Sequence, residues 1–324
     1  MKSFICMVGI GGAVVLATGL PGMAAAQDYP SRQVTMVVPT APGGSIDLFG
    51  RLYASELAKR WKQAVVVENR PGATGQIGAE AVARAQPDGY TLLMTTDATM
   101  TQSVFKAIPF DAERDLMPLA IVASTAQICY TPPQTGFKSW PQLVAHAKAN
   151  PGKLNYVEYP GTTNELYHLR LWKLTGIELT AVPYNAQAAG VQAILTNTAQ
   201  LFCSTPTGIG EHAKAGRVVL LAVTAREPNP AFPGVPTIRS TGLDYEWRLW
   251  FGMMAPAGTP AAVVARIQRD VAEVQASAEV QATVAKVGLD PETRSPKETA
   301  AIISATGRQF KELAREFGIK PKQQ

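Results

Sequence analysis

A chain of 324 residues, 46% apolar and 17% charged, reads as a globular protein too long for one ordinary core. Lysine and arginine outnumber aspartate and glutamate by 30 to 25, a net charge of +5 dispersed along the chain. With no basic run interleaved with aromatics, that balance argues against a nucleic-acid partner and is compatible with small anions. His146, His168 and His212 are widely separated and the cysteines have no metal spacing, so no metal site is expected.

Residues 1–26 read as a cleaved export signal: Lys2 is the charged start, Phe4 to Leu20 the apolar stretch, and Ala24–Ala25–Ala26 the small residues before the cut. The expected location of the mature protein is therefore the periplasm. Only Cys129 and Cys203 remain after cleavage. They could pair in an oxidising compartment or stay as two buried thiols.

Val34 to Val38 is an apolar strand that runs into the turn Pro39–Thr40–Ala41–Pro42–Gly43–Gly44, and a helix starts near Ser45. Prolines without donors and glycines free to take positive φ make this turn neither helix nor strand. Its free backbone N–H groups, from about Gly43 onward, would lie at the positive end of a helix dipole and suit an anion. The plainer reading is a tight turn capped by Ser45 or Asp47. The loop is neither a Walker A nor a dinucleotide fingerprint, and no cofactor is expected.

A second buried strand, Ala64 to Glu68, leaves through Asn69–Arg70–Pro71–Gly72–Ala73–Thr74–Gly75 into a helix from Ile77 to Ala85. A third, Tyr90 to Met94, leaves through Thr95–Thr96–Asp97–Ala98–Thr99. In a parallel sheet these exits share the carboxyl edge, where open α/β sheets bind ligands. The hydroxyls of Thr95, Thr96 and Thr99 could serve as donors there, or cap a helix. Pro118 to Ala123 reads as a strand leading away. A second α/β series then runs from Ile128 to Thr224, with polar exits at 158–164, 183–185 and 203–207. Two amphipathic helices, Ala261 to Ala276 and Ser295 to Phe317, close the chain and fold back on the first lobe.

The expected fold class is α/β: two Rossmann-like lobes in a Venus flytrap arrangement with a double-crossover hinge near Ser124 and Arg226. Lobe 1 comprises residues 27–124 plus 227–324, and lobe 2 residues 125–226.

Motifs along the whole mature chain resemble the Bug-type (Bordetella uptake gene) periplasmic solute-binding receptors of tripartite tricarboxylate transporters. They include Ala41–Pro42–Gly43–Gly44 with Asp47, Val67–Glu68–Asn69–Arg70–Pro71–Gly72–Ala73, and Pro87–Asp88–Gly89–Tyr90–Thr91–Leu92–Leu93. Further along are Ala147–Lys148–Ala149–Asn150–Pro151–Gly152–Lys153–Leu154, Val182–Pro183–Tyr184, and Ala255–Pro256–Ala257–Gly258–Thr259–Pro260. The resemblance implies a non-catalytic, monomeric receptor that closes on a small organic carboxylate and hands it to a membrane transporter, or reports it to a sensor.

It also implies a ligand site. Ala41, Gly43 and Gly44 would offer amides beside Thr40, where relatives often carry an aromatic, and Asp47 would cap the helix. Thr95, Thr96, Asp97 and Ala98 would line the third exit. Pro160, Gly161, Thr162, Thr163 and Asn164 would form the second-lobe loop, with His168, Tyr184, Ser204 and Thr205 behind it. Glu158 and Glu165 stand near that loop, and a glutamate in the cleft would repel a carboxylate by about 1–4 kcal/mol at ~4 Å. Either both point away or the ligand carries a cationic or N–H group. A periplasmic enzyme is the competing class, but no nucleophile elbow or His–nucleophile motif is present.

Overall fold

The computed structural model describes residues 29–184, 186–207 and 209–322. The expected leader and Asn185 of the 183–185 exit lie outside the described residues.

Three strand–helix units come first. They are β1 (Val34–Val38) with α1 (Ser45–Trp61), β2 (Val65–Asn69) with α2 (Gln76–Ala83), and β3 (Thr91–Thr96) with α3 (Ala98–Phe105). The strands pair in parallel in the order β3-β1-β2, with Met36 opposite both Val67 and Leu92. The apolar runs of β1 and β3 follow from burial on both faces, whereas β2, expected to be buried, is the edge strand and leaves Val66 exposed. Val34, Met36, Val38, Leu92 and Met94 pack with Phe49, Tyr53 and Leu57 of α1, while Val37 and Leu93 point to the opposite core.

The short α4 (Ala112–Asp115) leads into β4 (Leu116–Ala126), longer than the sequence suggested. After the single residue Gln127 the chain enters the second lobe. That lobe holds β5 (Ile128–Thr131), α5 (Trp140–Ala149), β6 (Asn155–Glu158), α6 (Thr163–Thr175), β7 (Thr180–Pro183), α7 (Gln187–Leu195), β8 (Phe202–Ser204), α8 (Ile209–Lys214) and β9 (Val219–Val223). Here β8, β5 and β9 are antiparallel, and β6 and β7 are parallel. A bridge between Tyr156 and Leu201 ties the two groups together.

The chain then returns through β10 (Arg248–Pro256), antiparallel between β3 and β4, followed by α9 (Ala261–Gln275), α10 (Ala278–Lys286), β11 (Asp290–Pro291) and α11 (Pro296–Glu316). The first sheet is thus six strands in the order β11-β4-β10-β3-β1-β2. Helix α10 was not expected. Its nine residues present only Val280 and Val284 to the core, too short a stripe to stand out. Helix α11 begins with a complete capping box, Ser295 with Glu298, and Pro296 in its first turn.

The hinge is a hydrogen-bonded knot of three buried residues. The Gln127 N–H donates to the Thr224 hydroxyl at 2.8 Å, and the Thr224 N–H returns a bond to the Gln127 carbonyl at 2.9 Å. That hydroxyl donates to the Trp247 carbonyl at 2.7 Å, and the Trp247 N–H donates to the Thr224 carbonyl at 3.0 Å. Val223 also pairs with Thr237, so the backbone stays beside β9 past Arg226 and comes back at Trp247. Tyr167 of α6 stacks on Trp247 at 4.7 Å and meets Phe310 of α11 edge-on at 5.8 Å, carrying one core across the lobe boundary.

Cys129 and Cys203 face each other on β5 and β8 and form a disulfide. The covalent link closes a loop across 74 positions, and chain-entropy arguments assign such a loop about 4 kcal/mol. Adding reductant should therefore lower the thermal midpoint by roughly 5–10 °C. Two free thiols titrated in the native protein, with an unchanged midpoint, would contradict this.

Candidate functional site

The carboxyl ends of β1, β2 and β3 open into a cavity of about 350 Å³. Pro39, Thr40 and Ala41 come from the first exit, Pro71, Gly72, Thr74 and Gly75 from the second, and Thr95, Thr96, Ala98, Thr99 and Gln102 from the third and α3. The close approach of α1 and α2 to this edge depends on two glycines. A Cβ on Gly50 would lie 2.5 Å from Val38, and one on Gly78 would lie 2.8–2.9 Å from Pro39.

Facing it is a cavity of about 600 Å³ lined by Tyr159, Pro160, Thr162, Asn164, Pro183 and Tyr184 of the second lobe, and by Thr74 of the first. A narrow space of about 20 Å³ joins Ala98, Gln102 and Lys106 to Gly161 and Thr162. Thr74 borders all three. It sits at φ 59°, left-handed, a conformation that a β-branched residue adopts only under constraint. Its carbonyl accepts a bond from the Gln102 amide at 3.2 Å.

The expected role of the Gly43 amide needs correcting. The Gly43 N–H does not stand free: it donates to Oδ2 of Asp47 at 2.9 Å. Arg51 and Asn69 also donate to Asp47, and the Arg51 bond above all holds its carboxyl down at about 2. Asp47 is thus a buried helix-start carboxylate, and Gly44, not Ser45 or Asp47, holds the cap position. Gly43, Gly44 and Asp47 line none of the three cavities.

The second lobe repeats the device. The Gly161 N–H donates to Oε2 of Glu165 at 2.7 Å, again four residues on. Thr162 caps α6 by accepting from the Asn164 N–H at 3.3 Å, and its hydroxyl donates to the Tyr159 carbonyl at 2.7 Å. Glu158 is buried and turned inward, with Oε2 3.1 Å from Nδ1 of His168. Burial pushes its carboxyl up, yet His168 and the Tyr159 N–H outweigh that and hold it below the ordinary glutamate value. Neither glutamate borders the cleft.

Several other expected site residues lie behind the wall. His168 is buried on the inner face of α6, stacked on Trp172 at 5.4 Å. Thr163 and Ser204 are buried, and the Ser204 hydroxyl meets that of Tyr130 at 3.1 Å. Thr205 donates to Gln187 at 2.7 Å. Asp97 is 1% exposed, and neither of its carboxylate oxygens has a side-chain or backbone partner within hydrogen-bonding geometry. Burial pushes its carboxyl up to about 8. Thr40, Ala41, Thr95, Thr96, Ala98, Pro160, Gly161, Thr162, Asn164 and Tyr184 do border the cavities.

Pattern reading missed Thr74, Gln102 and Tyr159. Thr74 lies in a glycine turn that the sequence flagged only as a strand exit. Gln102 sits one turn into α3, beyond the exit itself.

The chemistry of the walls is distinctive. Among the described residues no aspartate or glutamate lines any of the three spaces, and Lys106 is their single charged side chain. The hydroxyls of Thr40 and Tyr159, one on each lobe, are buried without a protein partner. Buried polar atoms are rarely left unmatched, so these two stand out among the groups of the cavity-lining residues. The hydroxyls of Thr95 and Thr99 pair with each other at 2.6 Å on the cavity floor.

Comparison with known proteins finds relatives along nearly the whole chain. BugT of Bordetella pertussis is 29% identical over 331 residues, covering 99% of both chains. The structure of R. palustris Rpa4515 with adipate is 29% identical, covers 91% of this chain and all of that one, and superposes with a TM-score of 0.79. MatC from Rhodopseudomonas palustris with bound malate is 27% identical, covers 88% and 100%, and has a TM-score of 0.74. The family model described as "Tripartite tricarboxylate transporter family receptor" matches residues 49–319. The chain therefore belongs to the family of tripartite tricarboxylate transporter receptors.

Proposed function

We propose that this protein is a periplasmic receptor that captures one small organic carboxylate between its lobes and delivers it, unaltered, to a membrane transporter. The observation that carries this reading is the cleft wall: Thr40 and Tyr159, whose hydroxyls have no protein partner, line spaces without any lining carboxylate. An anion there meets donors and no like charge, and in a low-dielectric cleft neutral donors hold charge strongly. The relatives solved with adipate and malate support the same ligand class.

Ligand contacts from both lobes would favour closure only by their difference in affinity between open and closed states. A thermal-shift panel of mono-, di- and tricarboxylates on residues 27–324 tests the reading. At least one acid should raise the midpoint and be recovered chemically intact. A flat panel would count against capture, and turnover of the acid would count against a receptor.

A further inference from the structure

Away from the cleft, a groove of about 390 Å³ lies over the hinge strands and is walled by both lobes. Arg170 of α6 and Arg226, just past Thr224, come from the second-lobe side. Arg248 of β10, Arg294 ahead of α11, and Gln309 of α11 come from the first. Five arginines border this space against three carboxylates.

Those carboxylates neutralise the two sides unequally. Glu292 is largely buried and serves the first lobe, at 2.8 Å from Arg294 and 3.8 Å from Arg248, which also reaches Asp290 at 2.6 Å. On the other side Glu246 stands 3.9 Å from Arg226, beyond hydrogen-bonding range. Asp244 stands 3.4 Å from Arg239 and is 90% exposed, so water screens the pair. Arg170 has no ion pair among the described residues. The floor includes buried Tyr167 and Trp250, so the groove has depth.

We propose that this groove is a second binding site, for a small oxyanion with at least two negative charges, of the phosphate or pyrophosphate class. Planar guanidinium groups bind such oxygens in pairs, and Arg170 and Arg226 have that capacity unspent. The depth and the surplus of positive charge favour a compact polyanion over a monocarboxylate.

Calorimetric titration with pyrophosphate, at ionic strength held constant with sodium chloride, tests the site. Saturable one-to-one binding is expected, weakened at least tenfold in the Arg170→Gln/Arg226→Gln variant. The Ala41→Glu variant, altered only at the cleft, should bind pyrophosphate as the parent does. If the double variant does not fold, Arg226→Gln alone, changed at a side chain 61% exposed, should weaken binding at least threefold. No saturable heat, equal binding in the arginine variants, or loss of binding in Ala41→Glu would each overturn the proposal. Because carboxylate binding is read separately, those results leave the cleft reading untouched.

Discussion

Replacing Asp97 by asparagine is expected to stabilise the protein increasingly as pH rises from 4 to 9. An aspartate in the unfolded chain ionises near 3.8, whereas burial lifts Asp97 to about 8. Between those values the native state binds the extra proton, so stability falls with rising pH and levels off above about 8. Below 3.8 both states are protonated and the penalty vanishes. Asparagine has nearly the same shape and no charge to desolvate. In urea titrations the unfolding free energies of the two proteins should therefore nearly coincide at pH 4 and diverge by several kcal/mol at pH 9. A difference that stays constant with pH would show that Asp97 is solvated or paired in solution.

Ala41→Glu should weaken carboxylate binding at least tenfold while leaving the thermal midpoint nearly unchanged. Ala41 is exposed and borders the first-lobe cavity, so a longer side chain there finds room without disturbing the core. Its carboxylate would stand against the ligand's own, a repulsion of about 1–4 kcal/mol at ~4 Å according to the effective dielectric. Ala41→Gln, of the same size and uncharged, separates charge from bulk. The reading requires the glutamine variant to bind well and the glutamate variant poorly. Equal affinity in all three would move the ligand away from this edge.

Much of this architecture was legible in the residues. Val34–Val38 and Thr91–Met94 are the strongly apolar runs that a strand buried on both faces needs, and the edge strand Val65–Glu68 carries a similar run; each leads into a turn bearing proline, glycine or threonine. The exits therefore fell where the cavities are. What the sequence could not reveal was where the flanking carboxylates would turn. Asp47 and Glu165 each reach back four residues to a glycine N–H, at Gly43 and Gly161. That choice depends on rotamers and on partners such as Asn69, 22 positions away from Asp47.

The Gly43 amide, expected to grip the ligand, is therefore occupied within the chain, and so is the Gly161 amide of the second-lobe loop. His168 misled for a related reason. It was expected behind the second-lobe loop, and α6 turns it inward onto Glu158 and Trp172. The pairing of Cys129 with Cys203 also needed the sheet register, which sets the two residues opposite each other.

The central claim is that one carboxylate is held by hydroxyls from both lobes at once. Calorimetry with adipate and malate on the parent, on Thr40→Val and on Tyr159→Phe tests it most directly, because each variant deletes one hydroxyl from one lobe. One molecule bound per chain is expected, weakened roughly tenfold or more by either change, in line with about 1.5–3 kcal/mol for a hydrogen bond to a charged group. Parental affinity in both variants, or no saturable binding of any carboxylate, would contradict it.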